Sequence, residues 1–335
     1  MRFALTLVAS SVILAACGGG SDNNSTSSGG GSPVPVAVQA TLTSANYLAV
    51  AQETLSSSAY LTTAANLATG AQVSDSEVLV RFGQDQLPKL SRWFSNAPAQ
   101  AVGAVQSQTE ACSGGGTLTI SENDANGNLK PDAGDSVTLT ALNCVFEGQS
   151  LNGQLALTVN SITGEPGYFP YSLSVSLRFT DLAAKSSTVR SVGNGNLVLD
   201  LSARGANDQS LALSTSSFAV ATTYNNASYS KALTDYKTSI VVRPAGTGAI
   251  STTAVSGTLS STAFESKSID ITTPVSFVRA GTQAYPASGQ FIITGAAGGK
   301  VRITATSATT LIIDLDADGN GSYELSTSKR WSEML

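Results

Sequence analysis

A two-residue alternation of apolar and polar side chains runs through the C-terminal two thirds of the chain. The clearest case lies at positions 172–179, where serines and one arginine separate the large apolar residues Leu173, Val175, Leu177 and Phe179. Successive side chains of a β-strand point to opposite faces, so this spacing puts every large apolar group on one face. A strand that is buried on both faces has an unbroken run of apolar residues. The alternation seen here instead predicts antiparallel strands with one face in water.

Short turn signals separate the predicted strands. They combine Gly, Asn and Pro at Asn152-Gly153, Gly164–Gly167, Asn194-Gly195, Pro244–Gly246 and Gly298-Gly299. These residue types accept positive φ or fix a bend, and we interpret each signal as the connection of a hairpin. The sequence therefore predicts a mainly β fold built from a hairpin-rich antiparallel sheet, arranged as a sandwich or as a curved half-barrel.

A short helical segment precedes the predicted sheet. Positions 41–66 are rich in Ala, with apolar residues at helical spacing behind Thr43 or Ser44 as the N-cap. A second helix is predicted from Ser74, because Ser74–Glu77 has the form of a capping box. Pro88 interrupts that helix and leaves a short second piece carrying Leu90, Trp93 and Phe94.

The N-terminus has the layout of a secretory signal. Arg2 precedes an apolar run from Phe3 to Leu14, and small residues lead to Cys17. A helix that spans a bilayer needs about 20 apolar residues, and this run ends earlier.

The string Leu14-Ala15-Ala16-Cys17 resembles the lipobox of bacterial lipoproteins, and the chain resembles lipoproteins of Gram-negative bacteria. The resemblance implies that residues 1–16 are a signal peptide and that Cys17 carries diacylglycerol and a fatty acyl chain such as palmitate. Gly18, in place of an aspartate, implies sorting to the outer membrane. The alternative is ordinary cleavage after Ala16, which would leave Cys17 as a free thiol.

Four regions follow from these patterns. Residues 1–16 form the signal peptide, and residues 17–40 form a Gly/Ser-rich tether that a Pro-Val-Pro-Val stretch stiffens near its end. Residues 41–110 form the helical segment, and residues 111–335 form the antiparallel β domain.

The composition excludes several kinds of function. The chain contains no histidine, so Ser-His-Asp triads, Cys-His pairs and His-ligated zinc are excluded. Lys and Arg together number 18 against 23 acids, and this scarcity of clustered positive charge argues against nucleic acid as a partner. The acids that a glycosidase would need are scattered without a motif, so we expect no enzymatic activity.

Two cysteines remain besides Cys17. Cys112 and Cys144 belong to a chain whose signal directs it to an oxidising compartment, and we expect them to form a disulfide. Such a bond would stabilise the fold by about 3 to 4 kcal/mol in the chain-entropy model. Two buried thiols are the alternative.

Two acidic segments share a pattern in which oxygen-bearing side chains alternate around a glycine. The first offers Asp124, Asn126, Asn128, Asp132 and Asp135, and the second offers Asp314, Asp316, Asp318, Asn320 and Glu324. Calcium takes about six to eight oxygen ligands around a sharply turned loop. Both segments resemble the ligand-bearing half of EF-hand and dockerin loops, which implies calcium as a cofactor.

Neither acidic segment matches those loops in full. Asp132 or Asp135 would have to supply the closing acid of the first segment. Counting from Asp314 puts Glu324 at position eleven rather than twelve. No flanking helices are predicted, and the alternative is a pair of exposed Asp/Asn-Gly hairpin turns with solvated carboxylates.

The sequence favours an envelope lipoprotein, anchored to a membrane, with a non-catalytic binding or structural role toward a protein, glycan or lipid partner. One alternative is a carrier of lipid or another apolar ligand in a cavity between the sheet and the helices. Another is a carbohydrate-binding or carbohydrate-active module, whose sugar-binding strip would come from the aromatic residues Tyr168, Phe169, Tyr171, Tyr224 and Tyr229. Aromatic residues in a β protein also serve as core or cross-strand partners.

Overall fold

Long β-strands make up most of the protein. The computed structural model describes residues 38–65, 78–96 and 105–335, apart from residues 167, 247 and 282. The strands within these ranges are β1 (Val105–Ala111), β2 (Thr117–Asn123), β3 (Ser136–Phe146), β4 (Gln149–Thr163), β5 (Tyr171–Lys185), β6 (Val189–Gly205), β7 (Asp208–Tyr224), β8 (Ala227–Ala245), β9 (Gly248–Ser261), β10 (Lys267–Ala280), β11 (Ser288–Thr294), β12 (Lys300–Ala305), β13 (Thr310–Asp316) and β14 (Leu325–Arg330). The helices are α1 (Tyr47–Ala65), α2 (Val78–Gln86), α3 (Leu90–Asn96) and α4 (Trp331–Met334).

The strands form one antiparallel sheet in which their order along the chain is also their order in space. The sheet is open, with β1 and β14 as its two edges. The prediction of a mainly β, hairpin-rich antiparallel fold behind a helical segment is therefore confirmed. The strands belong to one continuous sheet, rather than to the two separate sheets of an ordinary sandwich. Helix α1 contacts both β7–β8 and β12–β13, which shows that the sheet curves around it.

The two faces of the sheet differ as the alternation predicted. Leu173, Val175 and Leu177 of β5 are buried, whereas the serines between them are half-exposed. The helices cover the apolar face, where a hydroxyl hydrogen bond of 2.9 Å joins Ser58 of α1 to Tyr236 of β8. Burial raises the pKa of Tyr236 well above its usual range, so this phenol stays protonated. Apolar packing and a few such bonds hold α1 against the sheet.

Two of the predicted turns lie inside strands instead. Gly153 belongs to β4 and Gly195 to β6, with φ of 111° and 120°. A Cβ at Gly153 would stand 2.2 Å from the carbonyl oxygen of Asp181 on the next strand, so the backbones approach too closely there for any other residue. Register shifts in the strand pairing lie beside both glycines, which identifies them as parts of β-bulges. Bulges bend a sheet, so these glycines contribute curvature rather than turns.

The helical segment is confirmed, but its first helix starts later than predicted, beyond the proposed N-cap at Thr43 or Ser44. Helix α1 begins at Tyr47, and α2 ends at Gln86, before a 3-10 turn that contains Pro88. Leu90, Trp93 and Phe94 of α3 are buried, as predicted for the short piece after that proline. The predicted capping box at 74–77 lies outside the described residues.

Both predicted boundaries of the helical segment are shifted in the structure. Strand β1 begins at Val105, before the predicted start of the β domain at 111. At the other boundary, the backbone of Val38 and Ala40 already bonds to Ser268 of β10, although the tether was predicted to run to position 40. Residues 37–335 form one compact unit.

Candidate functional site

The second acidic segment forms the connection between β13 and β14. Asp316, the last residue of β13, is fully buried, and its carboxylate accepts hydrogen bonds from the backbone N–H groups of Asn320 (3.1 Å) and Gly321 (2.9 Å). Gly319 and Gly321 both have positive φ, of 73° and 91°, which allows the tight turn. The buried carboxylate is therefore the centre around which the loop closes.

Two further carboxylates face Asp316 in this loop. Oxygens of Asp316, Asp318 and Glu324 all lie within 4.8 Å of one another. Asp318 also accepts bonds from the backbone and side-chain N–H groups of Asn320, and Glu324 accepts one from the backbone of Ala317 at 3.0 Å. Three negative charges at this separation repel one another, and a hard cation bound by oxygen would relieve the repulsion.

Asp314 lies outside this cluster, although the sequence analysis grouped it with the other acids. Arg302 of β12 pairs with Asp314 directly across the sheet, and its guanidinium donates two hydrogen bonds, of 3.0 and 2.8 Å, to one Asp314 oxygen. The same guanidinium stacks over the ring of Tyr323 at 3.9 Å. The prediction of Asp314 as a metal ligand is therefore not supported by its position, because its charge already has a partner.

The ligand count of this loop consequently begins at Asp316. Asp316, Asp318 and Asn320 then stand at positions one, three and five, and Glu324 stands at position nine. Arg302 was missed by sequence reasoning. Its signal was a cation on the polar face of β12, between the buried residues Val301 and Ile303 and on the same face as Lys300.

The first acidic segment connects β2 and β3 and repeats the same backbone frame. Asp124 accepts hydrogen bonds from the backbone N–H groups of Gly127 and Leu129, both at 2.7 Å. Leu129 occupies position six with φ of 60°, where the second loop has Gly321. Asp135, which follows Asp124 by eleven residues, is buried. Its carboxylate accepts hydrogen bonds from the backbone N–H groups of Ala125 and Asp132.

The side chain of Asp132 in the first loop accepts its hydrogen bonds from amide side chains of the same loop. The side chains of Asn126 and Asn128 both donate to Oδ2 of Asp132, at 2.7 and 2.6 Å. The other oxygen of Asp132 is buried without a hydrogen-bond partner. Burial raises the pKa of Asp135, the bonds from the backbones of Asp132 and Ala125 partly oppose this, and the nearby charges of Asp132 and Asp124 raise it further.

The two loops lie at opposite ends of the sheet and are flanked by strands, so they do not form an EF-hand fold. Neighbouring strands alternate in direction, and β2 and β13 therefore point their C-terminal ends in opposite directions. The side chains that could bind a metal in each loop are oxygen donors, a set that suits calcium rather than a softer metal.

The predicted disulfide between Cys112 and Cys144 is confirmed. Its Cα atoms are 5.4 Å apart, and the bond joins the end of β1 to β3 across the turn that leads into β2. The backbone N–H of Val145 donates to the carbonyl of Gly115 in that turn. The disulfide therefore fixes the edge hairpin to the body of the sheet. Cys17 lies outside the described residues.

A groove of about 310 Å³ crosses the central strands β4–β8. Most of its lining side chains alternate with buried apolar ones, so it lies on the polar face, away from the helices. Its hydroxyl-bearing residues are Ser161, Ser172, Ser174, Ser202, Ser210 and Ser239. Asp200 is its only charged lining residue, and the hydroxyl of Ser174 donates to that carboxylate at 2.6 Å. Leu173, Leu201, Leu211, Ala212 and Val241 complete the lining, so the groove combines serine hydroxyls and one carboxylate with apolar side chains.

No family model matches the chain, and neither does any curated protein or solved structure. Among the described helices, none combines the length and the apolar character that crossing a bilayer requires.

Proposed function

We propose that this chain is an exported lipoprotein, held on the envelope membrane by acyl groups on Cys17, with a binding or structural role rather than a catalytic one. The observation that carries the proposal is the Leu-Ala-Ala-Cys string directly behind an apolar run. The disulfide between Cys112 and Cys144 supports it, because such bonds persist in oxidising compartments outside the cytoplasm. Two or more acyl chains would anchor the protein stably, and Gly18 favours the outer membrane.

Mass analysis of the mature N-terminus tests this proposal. We expect a chain that begins at Cys17 and carries the mass of diacylglycerol plus an amide-linked acyl chain. The variant Cys17→Ala should lose acylation and leave the membrane fraction. An unmodified thiol at the N-terminus of the membrane-extracted protein would contradict the proposal.

Carbohydrate binding is a second candidate function, favoured by the groove at Asp200. Sugars are recognised through hydroxyl and carboxylate hydrogen bonds combined with aromatic stacking. The rings of Phe169 and Tyr171 stack at 6.0 Å in the connection that leads into Ser172 of the groove. Titration with neutral sugars, with Asp200→Asn and Phe169→Ala as variants, tests the candidate. Binding that is unchanged in both variants would exclude the groove.

A carrier of apolar ligands would use the face of the sheet that the helices cover. Side chains of α1 and α2 fill this face next to β5 and β8, including Phe82, Leu55 and Val50. A carrier would therefore have to move α1 to admit its ligand. Lipid extraction from the purified chain tests this alternative, because a carrier should retain bound lipid in near-stoichiometric amount.

Calcium is the cofactor that we propose for the second loop. The convergence of Asp316, Asp318 and Glu324 supports it, since three carboxylates within 4.8 Å match the charge preference of a divalent cation. The competing explanation is a hairpin turn whose carboxylates are held by backbone N–H groups alone. Calcium titration followed by calorimetry distinguishes the two.

A further inference from the structure

Exposed aromatic side chains mark two hairpin tips at opposite ends of the sheet. Tyr224 and Tyr229 are 48% and 49% exposed at the tip that joins β7 to β8. Tyr168 and Phe169 are 70% and 47% exposed in the connection between β4 and β5. Because β4 and β7 run in opposite directions, the two aromatic tips point away from each other.

The chain joins the sheet at the end that carries Tyr224 and Tyr229. The N–H of Ser268 donates to the carbonyl of Val38 at 2.9 Å, and the N–H of Ala40 donates back at 2.8 Å. Ser268 is the second residue of β10, and β10 begins at the end of the sheet where β7 stops and β8 starts. The described chain therefore begins at the same end as the β7–β8 tip.

The β7–β8 tip projects beyond the point where the chain joins the sheet. Ala232 of β8 pairs with Ser260 of β9, which pairs with Ser268 of β10, so these three residues form one row across the sheet. Tyr229 lies three residues outward from Ala232, or about 10 Å at the rise of a β-strand. The turn residues Asn225 and Asn226 lie about 20 Å outward on the same scale.

The chemistry of this tip suits the polar boundary of a membrane. Tyr229 lies opposite Thr222, two residues from Tyr224, so the two phenol rings share one face as diagonal neighbours. Residues 222–230 include no charged side chain. The β6 side of the tip is cationic, with the exposed Arg190 of β6 opposite Thr223 and Lys185 of β5 opposite Arg190. On the β9 side the tip lies beside the β9–β10 connection, where the exposed Glu265 pairs with Lys267 at 2.7 Å. Tyrosine is enriched at the headgroup level, and flanking cations favour anionic lipids.

We propose that this tyrosine tip, residues 222–230, rests in the headgroup region of the membrane to which Cys17 is anchored. The proposal depends on the lipoprotein function proposed above. Twenty residues separate Cys17 from Val38. As the Gly/Ser-rich coil that the sequence predicts, they would span about 25 Å on average, close to the length by which the tip projects. The anchor thus sets one end of the sheet against the bilayer and turns the Tyr168 end away from it.

A pair of tryptophan variants tests the orientation. Cys112 and Cys144 are joined, so Cys17 is the single free thiol of the chain that begins there, and it couples specifically to a maleimide lipid. The vesicles contain phosphatidylcholine, phosphatidylglycerol and brominated lipid as quencher. Tyr229→Trp reports on the tip, and Tyr168→Trp at the opposite end is the matched control. The native Trp93 and Trp331 are 3% and 2% exposed and give a constant baseline in the parent chain.

We expect the emission added by Tyr229→Trp to shift to the blue and to lose about half of its intensity, because an interfacial indole lies within reach of the bromines. Tyr168→Trp should keep the emission of an exposed indole. Equal quenching of both variants, or of neither, would overturn the proposal. If Tyr229→Trp fails to fold by circular dichroism, Tyr224→Trp replaces it at the same tip.

This design separates the two proposals. Coupling through maleimide anchors the chain whether or not a cell acylates Cys17, so the quenching result reports only on the tip. Mass analysis of the protein from cells reports only on the acylation. If the tip is quenched but cells leave Cys17 unmodified, the result contradicts the proposed lipoprotein function and supports the membrane contact of the tip.

Discussion

The two acidic loops share a backbone frame but differ in how their charges are balanced. In both, a carboxylate at position one accepts two backbone N–H bonds, and position six has positive φ. The first loop has Asn126 at position three, which donates to Asp132, whereas the second has Asp318, which adds a third carboxylate beside Asp316. The exchange of one amide for one acid therefore adds a carboxylate at position three, where it lies close to the carboxylates at positions one and nine. The same fold of the chain can support a structural turn or a cation site.

The largest expected effect comes from the carboxylate at position one of the second loop. Asp316→Ala should lower the free energy of unfolding by about 2 to 3 kcal/mol, because the loop loses the buried, charged acceptor of two backbone N–H bonds. The matched change Asp124→Ala should cost about 1 kcal/mol, since Asp124 is only partly buried and water can replace it. Urea denaturation measures both. Equal losses would show that burial does not distinguish the loops.

The second largest effect should come from calcium, which we expect to stabilise the chain through the second loop and not through the first. If the second loop binds calcium at about 0.1 mM, then 1 mM calcium would add about 1.4 kcal/mol to the free energy of unfolding. Asp318→Asn should abolish this gain by giving the loop the amide that the first loop has. Asp132→Asn in the first loop should leave the gain intact, and thermal melting with and without a chelator measures it. Identical melting curves for the parent chain in both conditions would disprove the cation site.

The opposite substitution, Asn126→Asp, should give the first loop the acid that the second loop has at position three. Asn126→Asp removes the amide that donates to Asp132 and puts a like charge near it, at a cost of about 1 kcal/mol without calcium. Asn126→Ala removes the same bond without adding charge and should cost about 0.5 kcal/mol. The difference between these variants isolates the repulsion, and it should shrink in salt. A difference that persists in salt would point to a cause other than charge.

The smallest expected effect is a pH dependence that comes from the first loop and from the adjoining end of β2. Unfolded Asp135 releases its proton near the ordinary pKa of 3.8, whereas burial keeps the proton bound to higher pH in the folded state. The folded chain therefore binds more protons in this window, and the free energy of unfolding falls as the pH rises from about 4. Asp135→Asn should flatten this slope. Buried Glu122, whose pKa burial also raises, contributes in the same direction, and Glu122→Gln is the parallel variant.

Strand content and the disulfide were readable from the sequence because both depend on local or pairwise rules. The alternation at 172–179 fixed which side chains of β5 are buried, and two cysteines allowed only one pairing besides Cys17. The hairpin connections were also readable, and the sequential order of the strands in the structure agrees with the tendency of successive strands to pair.

The errors arose where one residue type serves two structures. Asn-Gly is typical of a turn, yet at Asn194-Gly195 the amide exchanges hydrogen bonds with Asp181 on the adjacent strand, at 2.8 and 3.0 Å. That partner lies across the sheet and is invisible to a local pattern. Asp314 was assigned to the metal set for the same reason, because its partner Arg302 comes from a neighbouring strand.

The strictly sequential strand order also constrains how the chain can fold. Each strand pairs with the strand that precedes it in the chain, so the sheet can form strand by strand. Each step closes only a short loop and therefore costs little loop-closure entropy. Helix α1 emerges first but needs β12 and β13, nearly the last strands to emerge, for part of its docking surface. Until those strands form, the apolar face of the partly formed sheet stays exposed to water, and exposed apolar surface of this kind promotes aggregation.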